Sequence, residues 1–206
     1  TFTMDGYRPA ERHKDLYRGC IFPKKSNMLS PAEVLKHKPA WAEAFELRKT
    51  KHARALMNAI HSGKQEEIRL RACMMAAVDE GVGMIFDALE RSGELDNTFI
   101  VFLGDNGYFF GEHGLGPDRR FPYEEGIRSP FVVRYPGRIE AGLRVKELMI
   151  CQDIAPTLIE LAGGKPGPQI QGRSFLPLLA GGRRPAGWRK SLLVEYWAEN
   201  AMPWWA

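Results

Sequence analysis

Little in this 206-residue chain points to a membrane, a metal-thiolate cluster or a nucleic acid. No apolar run reaches the roughly 20 residues that a membrane-spanning helix needs, and no signal peptide is visible. The three cysteines, Cys20, Cys73 and Cys151, lie far apart without CxxC spacing, which argues against structural zinc and a disulfide framework. Each is expected to be buried and inert. Charge of one sign is scarce: 29 basic residues against 25 acidic ones leave +4, and the densest basic runs are pairs and triples such as Arg119-Arg120. That distribution gives no electrostatic footprint for nucleic acid. Familiar nucleophile and phosphate signatures are missing too, with no GxSxG, no glycine-rich loop closed by Lys-Ser or Lys-Thr, and no dinucleotide fingerprint.

What the chain does have is 44% hydrophobic residues, enough for one sizeable core with at most a small appendage. Residues 1–30 are punctuated by Gly6, Pro9, Gly19 and Pro23 and read as loop around a short helix from Ala10 to Tyr17. Ser30-Pro31 is a helix start, and a helical region runs from there to about His61, broken near Pro39, with Trp41, Phe45, Ala55, Met57 and Ile60 on its apolar side. The clearest helix spans Glu66 to Glu90. Ile68, Met75, Val78, Val82, Ile85, Phe86 and Leu89 recur at three- and four-residue intervals, and Ser92-Gly93 ends it. Strands follow at Thr98 to Leu103 and Phe131 to Tyr135, then a turn at Pro136-Gly137, a short helix from Asp153 to Ala162 and a strand from Ser191 to Tyr196. The continuous apolar runs TFIVFL and PFVVRY suit a mostly parallel sheet flanked by helices, an α/β architecture. By composition, residues 1–62 form a helical and loop region, 63–196 an α/β core portion and 197–206 an aromatic tail with three of the chain's five tryptophans.

Chemistry concentrates in GDNGYFFGEHG, Gly104 to Gly114, directly after TFIVFL. Asp105 and Asn106 are consecutive, so both reach one site only where the strand has just ended, and Gly104 and Gly107 make that break easy. Ligands of open parallel sheets bind beyond the carboxyl ends of strands. A carboxylate and an amide carbonyl are hard oxygen donors suited to calcium or magnesium, although calcium takes about six to eight oxygens and these are two. A turn would use the same residues. Glu112 and His113 have a similar double reading, as a ligand or acid pair or as a loop fixed by hydrogen bonds. Arg119 could clamp an oxyanion beside a cation or belong to a solvated pair. Glu124 and Arg128, four apart, can pair with each other.

TFIVFLGDNGYFFGEHG, then YEEGIRSPFVVRYPG, DIAPTLIELAG and QGRSFLPLLAG, in that order, resemble the sulfatase family, whose fold is that of alkaline phosphatase. The upstream VDEGVGMIFDALERSGELDNT, with PAERHKDLY and LLVEYW, extends the resemblance over almost the whole chain. It implies a partial alkaline phosphatase-like fold and a metal-dependent hydrolysis of sulfate esters by a longer sulfatase. Asp105 and Asn106 would be metal ligands, for Ca2+ ahead of Mg2+, and Arg119 would stand where the family has a sulfate-contacting lysine, four residues before Tyr123. His113 would line the pocket or hydrogen-bond the leaving oxygen. The resemblance also implies a small-molecule or carbohydrate sulfate ester as partner and a periplasmic, secreted or lysosome-like location.

Departures from the family pattern are equally specific. The formylglycine cofactor of such enzymes is made from Cys or Ser in C/S-x-P-S/A-R, and no such motif is present, so no nucleophile is assigned. The family's N-terminal Asp-Asp ligand pair and Pro-His histidine are absent as well, and Pro117 is an extra residue in the loop. These features are expected of a sulfatase truncated at both ends and inactive alone. A phosphate or phosphonate ester hydrolase of the same superfamily, or an inactive fragment, are the alternatives.

Overall fold

A computed structural model of the chain describes residues 2–3, 6–29, 33, 36, 65–114, 119, 122–181 and 185–195. The helical region expected from Ser30 to His61 lies outside the described residues, save for Glu33 and Lys36, which are helical; the aromatic tail lies outside them entirely. The chain divides into two compact units. One comprises Thr1–Arg91, Phe102–Phe131 and Tyr196–Ala206, the other Ser92–Val101 and Val132–Glu195.

The first unit is organised along helix α1, Gln65–Arg91. Glu66 and Glu67 in its first turn and Arg91 in its last complement the helix dipole. Gly93 follows in the left-handed region (φ 74°), where a side chain would be strained, and this stops the helix where Ser92-Gly93 predicts. Ahead of it in sequence, β1 (Phe2–Thr3) and β2 (Gly6–Tyr7) form an antiparallel hairpin with Phe2 opposite Tyr7. Only Glu11–His13 of the short helix expected from Ala10 to Tyr17 is helical, as one 3-10 turn. Its side chains, not its backbone, tie it to α1: Arg12 and His13 both bond the Glu80 carboxylate, His13 at 2.6 Å. Arg69 donates to the carbonyls of Lys14 and Leu16 at 2.8 and 2.9 Å, so the next turns of the segment lie along the same helix.

Strand β3, Ile100–Leu103, pairs with β4, Phe131–Arg134, and between them lies α2, Glu124–Ile127. In the second unit, Arg134 reaches back to the Leu95 carbonyl and Asp96, both at 2.7 Å, and Tyr135 packs edge-on against Phe99 at 5.9 Å. Helix α3, Ile154–Leu161, is continuous with a 3-10 turn at Cys151–Asp153, and α4 spans Leu176–Leu179. Phe175, Leu178, Leu179 and Trp188 are the buried apolar side chains there. At their centre the fully buried Asp153 carboxylate accepts from the amides of Ile150 (3.0 Å) and Arg173 (2.8 Å) and from both terminal nitrogens of Arg189. Thr157 donates to the Asp153 carbonyl and accepts from the Phe175 amide, which joins α3 to the start of α4.

The mostly parallel sheet flanked by helices is not what the described residues form. They are mainly helical, with two two-stranded sheets, of which β1–β2 is antiparallel. An apolar run specifies extended backbone that needs cover, whereas the number of strands beside it is decided elsewhere in the chain. Among the described residues TFIVFL finds one partner, and Phe102, Leu103 and Val132 stay exposed. Residues 191–195, expected as a strand, have no regular structure. Two of the three cysteines expected to be buried, Cys20 and Cys151, are exposed; Cys73 alone is enclosed, its thiol donating to the Leu16 carbonyl at 3.3 Å.

Candidate functional site

The segment from Gly104 to Gly114 leaves β3 as a series of tight, backbone-held turns. The Gly104 amide donates to the Pro130 carbonyl at 3.0 Å, and the Gly107 amide to the Gly126 carbonyl at 2.8 Å. At Gly107 the backbones are so close that a Cβ would lie 2.0 Å from the Glu125 carbonyl oxygen and 2.7 Å from that of Arg128. Glycine is the only residue that fits this approach. The strand end and the start of α2 are thereby clamped together, with Asp105 and Asn106 displayed between the two clamps.

Asp105 is exposed and Asn106 half-buried. The Asp105 Oδ1 accepts the amide of the next residue, Asn106, at 2.9 Å, which ties the side chain to the turn backbone. The Asn106 side-chain nitrogen donates to the Gly107 carbonyl at 2.6 Å, and no described hydrogen bond engages its amide oxygen. The turn and site readings of DNG therefore coexist: one face of each side chain holds the turn and the other keeps an oxygen available. Among the described residues no group of three or more His, Cys, Asp or Glu side chains could hold a metal. As hard donors the two residues fit a calcium or magnesium ion, as part of a larger set of oxygens.

GEHG resolves into two different environments. Glu112 is fully buried and fixes the loop, accepting from Lys25 Nζ at 2.7 Å and from the Phe110 amide at 2.6 Å. His113 adopts φ 57° and ψ 20°, a left-handed conformation uncommon for a residue with a Cβ. Its amide donates to the Asn27 carbonyl at 2.7 Å, its ring stacks on Tyr123 with centroids 4.2 Å apart, and its Nε2 lies 3.0 Å from Glu125 Oε2. The other oxygen of Glu125 accepts from the Asn27 side chain at 2.7 Å. Burial raises the Glu125 carboxyl's pKa, but its own backbone amide, Asn27 and His113 outweigh this and hold it below the usual carboxylate range.

Next to the DNG turn, Tyr108 lies under the Arg71 guanidinium, 3.3 Å from the ring centroid, and its hydroxyl meets that of Tyr7 at 2.9 Å. Burial, followed by the Tyr7 contact, raises its pKa despite Arg71. Arg119 is exposed, and the neighbouring 115–118 and 120–121, Pro117 included, lie outside the described residues. Glu124 and Arg128 do pair across one helical turn, at 3.8 Å and largely in solvent.

Glu125 thus joins the parts: its backbone packs on Gly107 of the DNG turn and its side chain holds His113 of the GEHG turn. In the sequence Glu125 is one letter of the block YEEGIRSPFVVRYPG with no role of its own, and Asn27 stands out by nothing at all. The Asn27–Glu125 pair is 98 positions apart, beyond any local spacing pattern.

A family model described as "N-sulphoglucosamine sulphohydrolase, C-terminal" matches residues 111–203. An N-acetylglucosamine-6-O-sulfatase of Bacteroides thetaiotaomicron is 39% identical over 171 residues, covering 81% of this chain and 30% of that protein. An extracellular sulfatase homolog of Drosophila melanogaster is 42% identical over 124 residues, 59% of this chain and 11% of that one. Among solved structures, a protein in complex with its substrate D-glucosamine-2-N,6-O-disulfate superposes with a TM-score of 0.70 at 30% identity, covering 94% of this chain and 50% of that one. The chain therefore spans under a third of these curated relatives and half of the solved one.

Proposed function

Because the chain belongs to the sulfatase family of the alkaline phosphatase-like superfamily, we propose that it contributes part of the active site of a longer sulfatase, which hydrolyses sulfate esters of carbohydrates. The observation that carries this reading is the exposed Asp105 carboxylate at the carboxyl end of β3, beside an Asn106 amide whose oxygen no described group occupies.

In this reading Asp105 and Asn106 are two ligands of a Ca2+ ion, with Mg2+ less suited because it demands a tighter octahedron. When bound, the ion would polarise the sulfate oxygens. Gly107 keeps the two ligands at the strand end through its clamp on α2. Arg119 supplies a guanidinium for the sulfate oxygens, its fork able to donate two parallel bonds. His113 lines the same site. The names of the relatives favour sulfated amino sugars as substrates, and an extracellular or otherwise exported location accords with the Drosophila relative's name. No described helix is long and apolar enough to cross a membrane.

Asp105→Ala in a sulfatase containing this segment is expected to lower calcium affinity and turnover of a sulfated N-acetylglucosamine by at least about tenfold. Undiminished turnover would remove the metal role. The 206-residue chain alone is expected to release no sulfate from an aryl sulfate with calcium present, since it contains no C/S-x-P-S/A-R segment. Turnover by this chain would overturn that account.

A further inference from the structure

His113 is held more firmly than a pocket-lining residue requires. Three contacts fix it: the amide bond to the Asn27 carbonyl, the stack on Tyr123 and the Nε2 contact with Glu125. They do so in a left-handed backbone conformation that costs a residue with a Cβ free energy, and such outliers persist only where their surroundings over-determine them. Asn27 contributes twice, because its carbonyl takes the His113 amide and its side-chain nitrogen takes the second oxygen of Glu125.

Proton logic then follows from the donor and acceptor types. An ionised carboxylate only accepts, so the imidazole nitrogen that bonds Glu125 carries a proton. The Asn27 amide spends a donor on Oε1, which leaves Oε2 facing the ring as an acceptor. Nε2 is therefore the protonated nitrogen of the neutral ring, and Nδ1 is the nitrogen left for exchange. No described hydrogen bond engages Nδ1, and about a quarter of the His113 side chain is accessible. Lys25, nearby, is paired to Glu112.

We propose that Glu125 and Asn27 are positioning residues that lock the neutral His113 ring as its Nε2–H tautomer, so that Nδ1 is left as an acceptor for a hydroxyl or amide N–H of a sulfated sugar. The proposal deepens the sulfatase reading and rests on it for the identity of the ligand. It makes Glu125 the hinge between two functions, since the same residue's carbonyl packs against Gly107 behind the metal ligands. Carboxylate support of a histidine fixes both tautomer and ring orientation, as it does for metal-ligating and general-base histidines.

The test uses a longer sulfatase containing this segment, labelled with 15N-histidine, with long-range proton–nitrogen spectra recorded at a pH where the ring is neutral. Expected for the unmodified chain is a His113 Nε2 signal of the protonated type, an Nδ1 signal of the unprotonated type, and a slowly exchanging imidazole proton. Glu125→Leu is expected to lose the protected proton and let both nitrogens shift toward the average of two tautomers. Asn27→Ala, a milder change, should speed exchange of the same proton at least severalfold while circular dichroism stays unchanged. A proton on Nδ1 in the unmodified chain, or nitrogen shifts and exchange unaltered in both variants, overturns the positioning role. Adding a sulfated N-acetylglucosamine, whose hydroxyls and amide can donate to Nδ1, separates the two readings. Displacement of the Nδ1 signal supports the whole proposal, whereas a fixed tautomer with an undisturbed Nδ1 overturns the acceptor assignment of that atom and leaves the lock standing.

Discussion

At the scale of single residues, the two clamps around Asp105 and Asn106 depend on contacts that leave no room for substitution. Gly107→Ala would drive a methyl group into the Glu125 carbonyl, and backbone cannot rotate away as a side-chain end can. The expected cost is about 3 kcal/mol or more, read as a fall in the urea midpoint of the first unit. An unchanged midpoint would mean that the approach of the DNG turn to α2 is not as close as described. The sequence identifies Asp105, Asn106, His113 and Gly107 by type and spacing, because a strand end followed by glycines and oxygen donors is a local pattern. It does not distinguish Glu112 from His113, although one is a buried loop anchor and the other a partly accessible ring. That difference comes from Lys25, Asn27 and Glu125, which only the folded chain brings together.

Among the elements, α1 and the β3 and β4 strands were readable from periodicity, with bounds within about two residues, because helix length and apolar runs are properties of a local window. Their burial was not. The stripe of α1 includes Met75, Val78 and Ile85, all exposed, and a helix face has no cover of its own to offer. The elements are instead tethered by charge, through Glu80 in one unit and Asp153 in the other. Glu80 is held at about 2, by its bonds to Arg12 first and His13 second. For Asp153, burial raises the pKa, but Arg189 and the amides of Arg173 and Ile150 overcome this and lower it. Both folded values lie below the unfolded ones of about 4.3 for Glu and 3.9 for Asp. Their stabilisation is therefore complete above those unfolded values and is lost as pH falls from about 4 through the folded ones. A thermal midpoint that is flat above pH 5 and drops between about pH 4 and 2 is the expected profile, and a midpoint that rises on acidification would contradict it. Arg189→Ala leaves a fully buried carboxylate without its guanidinium and is expected to cost about 3 kcal/mol in urea unfolding of the second unit. Retained stability would show that the amides of Ile150 and Arg173 suffice.

For the whole molecule, exposed apolar side chains are the dominant feature. Ile21, Met84, Ile85, Val132 and Leu193 are all more than half exposed, in a chain whose net charge is only +4. Expressed by itself, the chain is expected to bind a hydrophobic dye and to associate at micromolar concentration, and a monodisperse monomer by light scattering would refute this. The sequence by itself determined the family, through four ordered blocks. It also set Asp105 and Asn106 side by side at a strand end and marked α1, β3 and β4, because each is encoded within a few neighbouring residues. Only the tertiary structure decided that, among the described residues, the two apolar runs build one two-stranded sheet and not a broad parallel one. It also decided that Asp153 is a buried hub, and that Glu125 and Asn27 stand behind His113. Those outcomes depend on which distant groups meet, and hydrogen bonds across 98 positions of chain leave no periodic trace along it.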